Sequence, residues 1–217
     1  MDAFEGAPMP GGESLLSHTH GLTPWRAGFD IAVAAMCLIL LAPLLAAIAV
    51  LVRLDSLGPA LFRQTRTGLN GRTFLIYKFR TMHVQEDGAV MRQARRGDAR
   101  VTRLGALLRK TSLDELPQLL NVLRGDMSLV GPRPHALAHD SYYGERLAAY
   151  HHRFAVRPGI TGWAQINGSR GETPQLTDMQ RRIEFDVWYV QNRSFALDLK
   201  ILVATARHIL PSRSNAY

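Results

Sequence analysis

Cysteine is nearly absent from this sequence. Cys37 is the one cysteine in 217 residues, so there is no internal disulfide framework and no cysteine-rich zinc site. The patterns G-x-x-x-x-G-K-[ST], G-x-G-x-x-G and G-x-S-x-G are missing too. Their absence excludes the standard phosphate loops and the serine-hydrolase elbow. Acidic residues are in short supply, 18 Asp plus Glu against 26 Lys plus Arg, which leaves a formal net charge of +8 and a pI near 10.2. Such a surplus selects anionic partners: nucleic acid, anionic lipid or phosphorylated small molecules. There is no internal repeat and no low-complexity tract, and the length suits one ordinary domain. His151 and His152 are adjacent, which is not metal-ligand spacing.

What is present begins with an apolar run. Residues 1–24 are rich in Gly, Pro, Ser and His and read as a flexible leader. From Ile31 to Val52 no residue carries a charge, and a helix of that length reaches about 33 Å, enough for a hydrocarbon core of about 30 Å. A cleaved signal peptide fits poorly, because the run starts deep in the chain, follows an acidic leader and exceeds the usual apolar region. A spanning helix and a re-entrant one both remain open. Pro43 near the middle of the run removes an N–H and kinks a helix, yet such kinks are tolerated in spanning helices. Arg26 on one side and Arg53, Arg63 and Arg66 on the other leave the orientation undecided. A nucleic-acid binder would rest on net charge alone, and the apolar run argues against it, so no nucleic-acid partner is expected.

Residues 60–82 predict two short strands joined at Gly68-Leu69-Asn70-Gly71, with Asn-Gly as the hairpin signal. Residues 83–102 carry mixed charge and predict an exposed loop or mobile helix. From Leu104 to Leu123 leucines recur at helical spacing, so this stretch packs against something. GPRP (131–134) and RPGITG (157–162) predict rigid turns, and residues 175–210 two amphipathic helices with Trp188, Tyr189 and Phe195 near their junction.

Two constellations could carry chemistry. Asp114 and Glu115 are adjacent, and Ser112 three residues before Glu115 matches the capping-box spacing, which predicts both carboxylates in the first turn of a helix. There they point about 100° apart and take different roles, one attacking and one moving a proton. Solvated charges that favour the helix dipole are the plainer alternative. The second set is cationic: Lys78 and Arg80 two apart in a strand, Arg109, Arg133 between Pro132 and Pro134, and Arg157 before Pro158. Arginine's planar fork matches phosphate oxygens, and a proline-fixed backbone lowers the entropy lost on binding.

LDELPQLLNVLRGDMSLVGPRP (113–134), YKFRTM (77–82) and VRPGITGWAQING (156–168) resemble the bacterial sugar transferases that start surface-polysaccharide assembly, the monotopic phosphoglycosyl transferase superfamily. The resemblance runs from about Arg26 to about Leu210. It implies transfer of a sugar 1-phosphate from a UDP-sugar to a polyprenyl phosphate, with release of the nucleoside monophosphate and magnesium as cofactor. By that resemblance Asp114 is the nucleophile and the metal contact, and Glu115 assists deprotonation of the incoming polyprenyl phosphate. Lys78, Arg109 and Arg133 are active-site cations, and Arg80, Arg157 and Gln165 complete the candidate substrate-binding set. Members using acetylated amino sugars have an arginine directly after Asn-Gly. This chain has Asn167-Gly168-Ser169-Arg170-Gly171-Glu172-Thr173, which resembles glucose- and galactose-phosphate transferases and makes Arg170 the donor contact. Other readings are the same reaction with an N-acetylated amino-sugar donor, or a non-enzymatic membrane scaffold.

The family enters and leaves one leaflet through a helix broken at a proline matching Pro43, although Ala42 stands where its motif carries a serine. The expected fold is therefore α+β and mostly helical: a monotopic protein with a kinked re-entrant helix (25–54), a small β-hairpin, and amphipathic interfacial helices around a cytoplasmic catalytic domain (55–217). It would sit at the bacterial inner membrane, with UDP-sugar, polyprenyl phosphate and membrane lipids as partners and a homo-oligomer left open.

Overall fold

The computed structural model of the chain describes residues 24–83 and 98–209. The expected leader and most of the expected loop over 83–102 lie outside those residues. The first element, α1 (Pro24–Asp55), is one long helix with Pro43 inside it. Strands β1 (Leu61–Thr67) and β2 (Thr73–Phe79) form the expected hairpin, Leu61 facing Phe79 and Thr67 facing Thr73. Its tip takes two left-handed residues, Asn70 at φ 54° and Gly71 at φ 76°, which is why Asn-Gly is found there.

Between Ile31 and Val52 helix α1 is apolar all round, but its faces differ in what they touch. Phe29, Val33, Ala34, Cys37 and Leu38 pack into a cluster with Leu119, Val122, Met127 and Leu129. Farther along, Leu45, Ile48, Ala49 and Val52 pack with Phe79 and Leu108. These positions recur at helical spacing, so one stripe of α1 lies against the rest of the protein over most of its length. The opposite face, with Met36, Ile39, Leu40, Leu44, Val50 and Leu51, is exposed. Burying a side chain such as Ile48 is worth about 1.5–3 kcal/mol against water.

At its C-terminal end α1 is capped from afar. Arg80 directs Nε to the Ser56 hydroxyl at 3.2 Å and Nη2 to the Ser56 carbonyl at 2.5 Å, where a cation complements the helix dipole. Helix α2 (Arg103–Thr111) starts from Thr102, whose hydroxyl accepts from the Gly105 N–H at 2.8 Å. Its end differs from expectation. Ser112 is left-handed (φ 59°) and closes α2, and its side chain makes no cap bond to the turn that follows. Residues Leu113–Gln118 are a 3₁₀ turn, and α3 covers Leu119–Arg124. The predicted capping box is therefore not formed, because Glu115 is drawn to cations from other elements. The leucine-rich stretch, although packed, is three pieces.

The second of the two proline-glycine segments holds a short strand, and another strand runs directly into the first. Strand β3 (Ser128–Val130) pairs in parallel with β4 (Gly159–Thr161), and the Gly131 N–H donates to the Thr161 carbonyl at 2.9 Å. A Cβ on Gly159 would lie 2.0 Å from the Gly131 nitrogen, so the two backbones touch where glycine alone fits. Helix α4 (Leu137–Gly144), a 3₁₀ turn at Tyr150–Ala155 and α5 (Trp163–Ile166) lead to the expected tail helices, α6 (Leu176–Asn192) and α7 (Phe195–Ile209). Phe195 stands edge-on to Trp25 and Phe29, and Asp198 pairs with Arg26 at 3.2 Å, so the N-terminal end of α1 rests on α7.

Candidate active site

The turn carrying Asp114 and Glu115 is held between the hairpin, the end of α2 and the Pro-Arg-Pro segment. Behind it Asn121, fully buried, stitches α3 to the free edge of β2. Its Nδ2 donates to the Leu75 carbonyl at 2.6 Å and its Oδ1 accepts from the Tyr77 N–H at 3.1 Å. This leaves Lys78, the next residue on β2, beside the acidic turn.

The two carboxylates have opposite surroundings. Lys78 Nζ donates to Glu115 Oε1 at 2.9 Å, Arg133 Nη1 to Oε2 at 3.0 Å, and Arg133 Nη2 also to Oε1. Burial alone would raise the Glu115 pKa, but Arg133 and Lys78 outweigh it and hold this carboxyl well below the usual range. Asp114 is only 8% exposed and forms no hydrogen bond or ion pair with any described residue. Burial first, and the Glu115 charge second, push it up to about 6, with Lys78, Arg133 and Arg109 pulling the other way. At neutral pH it is ionised, partly desolvated and without a fixed partner.

The remaining predicted residues separate into two groups. Arg109 sits beside the acidic turn, with Nε on the Thr81 hydroxyl at 2.9 Å. Arg170 donates to the Ser112 hydroxyl, and with Glu115, Gln165 and Ser112 it lines a cavity of about 140 Å³ walled by Leu116, Leu119, Ile160 and Ile166. Gln165 anchors Nε2 on the Ile160 carbonyl at 3.0 Å, while its buried Oε1 has no hydrogen-bond partner among the described residues. Arg80 shares the strand alternation of Lys78 but reaches the end of α1, and the Arg157 guanidinium lies against Gly125 at the end of α3. Neither is brought to Asp114. Sequence reasoning passed over Arg66, which burial and the neighbouring Arg133 pull down to about 10. Its signal was available. Gln64 and Arg66 alternate along β1, and in the hairpin register they face the same side as Lys78.

The sequence pattern of the bacterial sugar transferases matches residues 23–212. The chain belongs to that family. The family member is 55% identical over 188 residues to the UDP-glucose:undecaprenyl-phosphate glucose-1-phosphate transferase of Caulobacter vibrioides, covering 87% of this chain and 70% of that one. It is 46% identical to an exopolysaccharide production protein of Rhizobium leguminosarum over 83% of this chain and 92% of the other. With the UDP-N-acetylgalactosamine-undecaprenyl-phosphate N-acetylgalactosaminephosphotransferase of Aeromonas hydrophila it shares 43% identity, over 85% of this chain and 43% of the other. It spans only 38% of the length of the Escherichia coli glucose-1-phosphate transferase it matches.

For this sugar transferase the fit to magnesium can be judged on its donors. No group of three or more His, Cys, Asp or Glu side chains is placed to hold a metal among the described residues. One carboxylate without a partner among the described residues, Asp114, lies within the electrostatic reach of Lys78, Arg133 and Arg109. A magnesium ion bound through one or two carboxylates plus substrate phosphates needs no more from the protein, so the residues fit an ion that takes its other ligands from a bound phosphate compound.

Proposed function

We propose that this chain transfers a hexose 1-phosphate, foremost glucose 1-phosphate, from its UDP-sugar to undecaprenyl or another polyprenyl phosphate. UMP is released, and the reaction is the first membrane step of exopolysaccharide or other surface glycoconjugate assembly. The observation that carries the reading is Asp114, a buried carboxylate with no partner among cations that suit a diphosphate. The names of the relatives support the substrates.

In the proposed reaction an Asp114 oxygen attacks the sugar-side phosphorus. The bond from that phosphorus to the bridging oxygen breaks, and UMP leaves with that oxygen. A phosphosugar-aspartyl intermediate remains, until a polyprenyl phosphate oxygen attacks the same phosphorus and frees Asp114. Splitting the transfer lets two bulky partners react in turn at one carboxylate. One diphosphate bond is exchanged for another, so no ATP is needed. Magnesium, held by Asp114 and the phosphates, would supply charge neutralisation on the diphosphate. Lys78, Arg109, Arg133 and Arg66 stabilise the charge that builds on the phosphoryl oxygens. Glu115 is a poor base while Arg133 and Lys78 grip it. A diphosphate that draws those cations away restores its basicity, so the proton from the polyprenyl phosphate is taken only once substrate is in place. Arg170 and Gln165 meet the donor in their shared cavity.

The same reading puts α1 in one leaflet of the inner membrane with the catalytic domain on the cytoplasmic side. Both ends of the helix rest on the globular part, Arg26 on α7 and Ser56 on Arg80, whereas a spanning helix carries its far end away from that domain. Cysteines placed in the leader and near Gly88 test this with an impermeant thiol reagent on intact cells. Labelling of the leader from outside defeats the re-entrant arrangement.

An N-acetylated amino-sugar donor is the second reading, favoured by the Aeromonas relative. Purified protein supplied with undecaprenyl phosphate and each of UDP-glucose, UDP-galactose and UDP-N-acetylgalactosamine decides, with UMP release as readout. Glucose should lead, and Asp114→Asn should be inactive. A wild-type rate in that variant would remove the covalent step, and no turnover with any donor would leave the membrane scaffold.

A further inference from the structure

Beneath the Pro-Arg-Pro segment lies a second set of charges that the proposed reaction does not use. Arg153 and Asp186 are each only 2% exposed. Arg153 Nε and Nη2 donate to Asp186 Oδ2 at 3.2 and 2.9 Å. Nη1 lies 2.7 Å from His135 Nδ1 and 3.3 Å from the Tyr150 hydroxyl. Nη2 also donates to the backbone carbonyl of Arg133. One guanidinium thus joins α6, the Tyr150–Ala155 turn and the residue that grips Glu115.

Burying two charges is expensive, and a well-packed apolar pair often serves stability as well. A fold that needed only to tie α6 to the turn could do so without reaching Arg133. Pro132 and Pro134 fix the backbone on either side of Arg133 but supply no N–H. The Gly159 N–H holds the Pro132 carbonyl at 3.0 Å on one side of Arg133, and Arg153 holds the Arg133 carbonyl on the other, so a neighbour sets each of the two peptide planes around that residue. We propose that the Arg153–Asp186 pair is a positioning device: it holds the Arg133 carbonyl so that the Arg133 guanidinium points at Glu115 and, in turnover, at the substrate diphosphate. Asp186 orients Arg153, Arg153 orients Arg133, and only Arg133 meets the reacting phosphate.

This inference rests on the phosphoglycosyl transfer reading, and the test separates the two. Arg153→Lys keeps a charge for Asp186 but has no planar fork to reach the Arg133 carbonyl as well. With the full chain in detergent it should lose about tenfold or more in kcat, as expected for a misaimed catalytic group. The KM for UDP-glucose should shift less than about threefold, because ground-state binding is largely kept. Introduced beside Arg133→Gln, the same change should cost little more, since both act on one guanidinium. Arg153→Met with Asp186→Leu, which removes both charges together, covers the case in which the lysine variant does not fold; it should show the same kcat loss with its thermal midpoint retained. Wild-type kcat in whichever variant folds, or losses that multiply with Arg133→Gln, would overturn the inference. A wild-type protein silent with every UDP-sugar would instead overturn the reading beneath it.

Discussion

Two buried groups of carboxylates and arginines lie on either side of Arg133, and they are built to opposite rules. Around Arg153 the charges are matched: Asp186 takes two donors, the Tyr150 hydroxyl donates to Asp140 at 2.7 Å, and the Thr67 hydroxyl reaches the other Asp140 oxygen at 2.6 Å. Around Asp114 the cations gather on its neighbour and leave it alone. A matched cluster holds a shape. A carboxylate kept buried and unmatched costs stability, and the cost is tolerated where the group has work to do. The lesson is that the bare member of an acidic pair is the reactive candidate, and the well-bonded one its support.

The contrast can be broken by mutation. Asp114→Asn should lower UMP release at least about a thousandfold, as for removal of a nucleophile. Arg133→Gln, which takes a charged fork from Glu115 and, in the proposed reaction, from the substrate, should cost on the order of a hundredfold in kcat. It should also lower the thermal midpoint, because Glu115 stays buried with Lys78 as its remaining hydrogen-bond partner.

The pH dependence sharpens the comparison. Asp114 rises from 3.8 to about 6 on folding, so the folded chain binds more protons than the unfolded one between those values. Its contribution is complete below the lower value and is lost as pH climbs through the upper one. At pH 7.5 the ionised side chain is a liability on the order of 3 kcal/mol. In EDTA, Asp114→Asn should therefore melt higher than wild type at pH 7.5, with the gap closing toward pH 4. Parallel melting curves would contradict the proposed burial cost. The smallest effect expected on activity is at Arg66, where Gln should lower kcat/KM about tenfold by removing one of the cations proposed to meet the phosphates.

The legible parts of the fold were those set by neighbours in sequence. Asn70-Gly71 fixed the hairpin tip, and apolar spacing marked α1, α6 and α7. The β3–β4 pair escaped because three-residue strands carry no alternation, and their contact depends on Gly131 meeting Gly159 from a distant segment. Ser112 misled for a related reason. Its spacing to Glu115 is that of a cap, but whether a cap forms depended on Lys78 and Arg133, which no local window contains. The acidic turn and the Arg133 segment were legible as site candidates, and Arg80 and Arg157 look like Arg133 in sequence. Only folding shows that one caps α1 and the other rests on Gly125.

The stripe along α1 bears on how this enzyme can be handled. Ala34, Ile48 and Val52 are interior side chains, each buried in one of the two apolar clusters. Cutting the chain after Asp55 to obtain a water-soluble catalytic fragment would strip the lid from both apolar clusters and leave Arg80 with no helix end to cap. The helix is not a tether that can be unclipped, and production of the protein has to keep it on the chain.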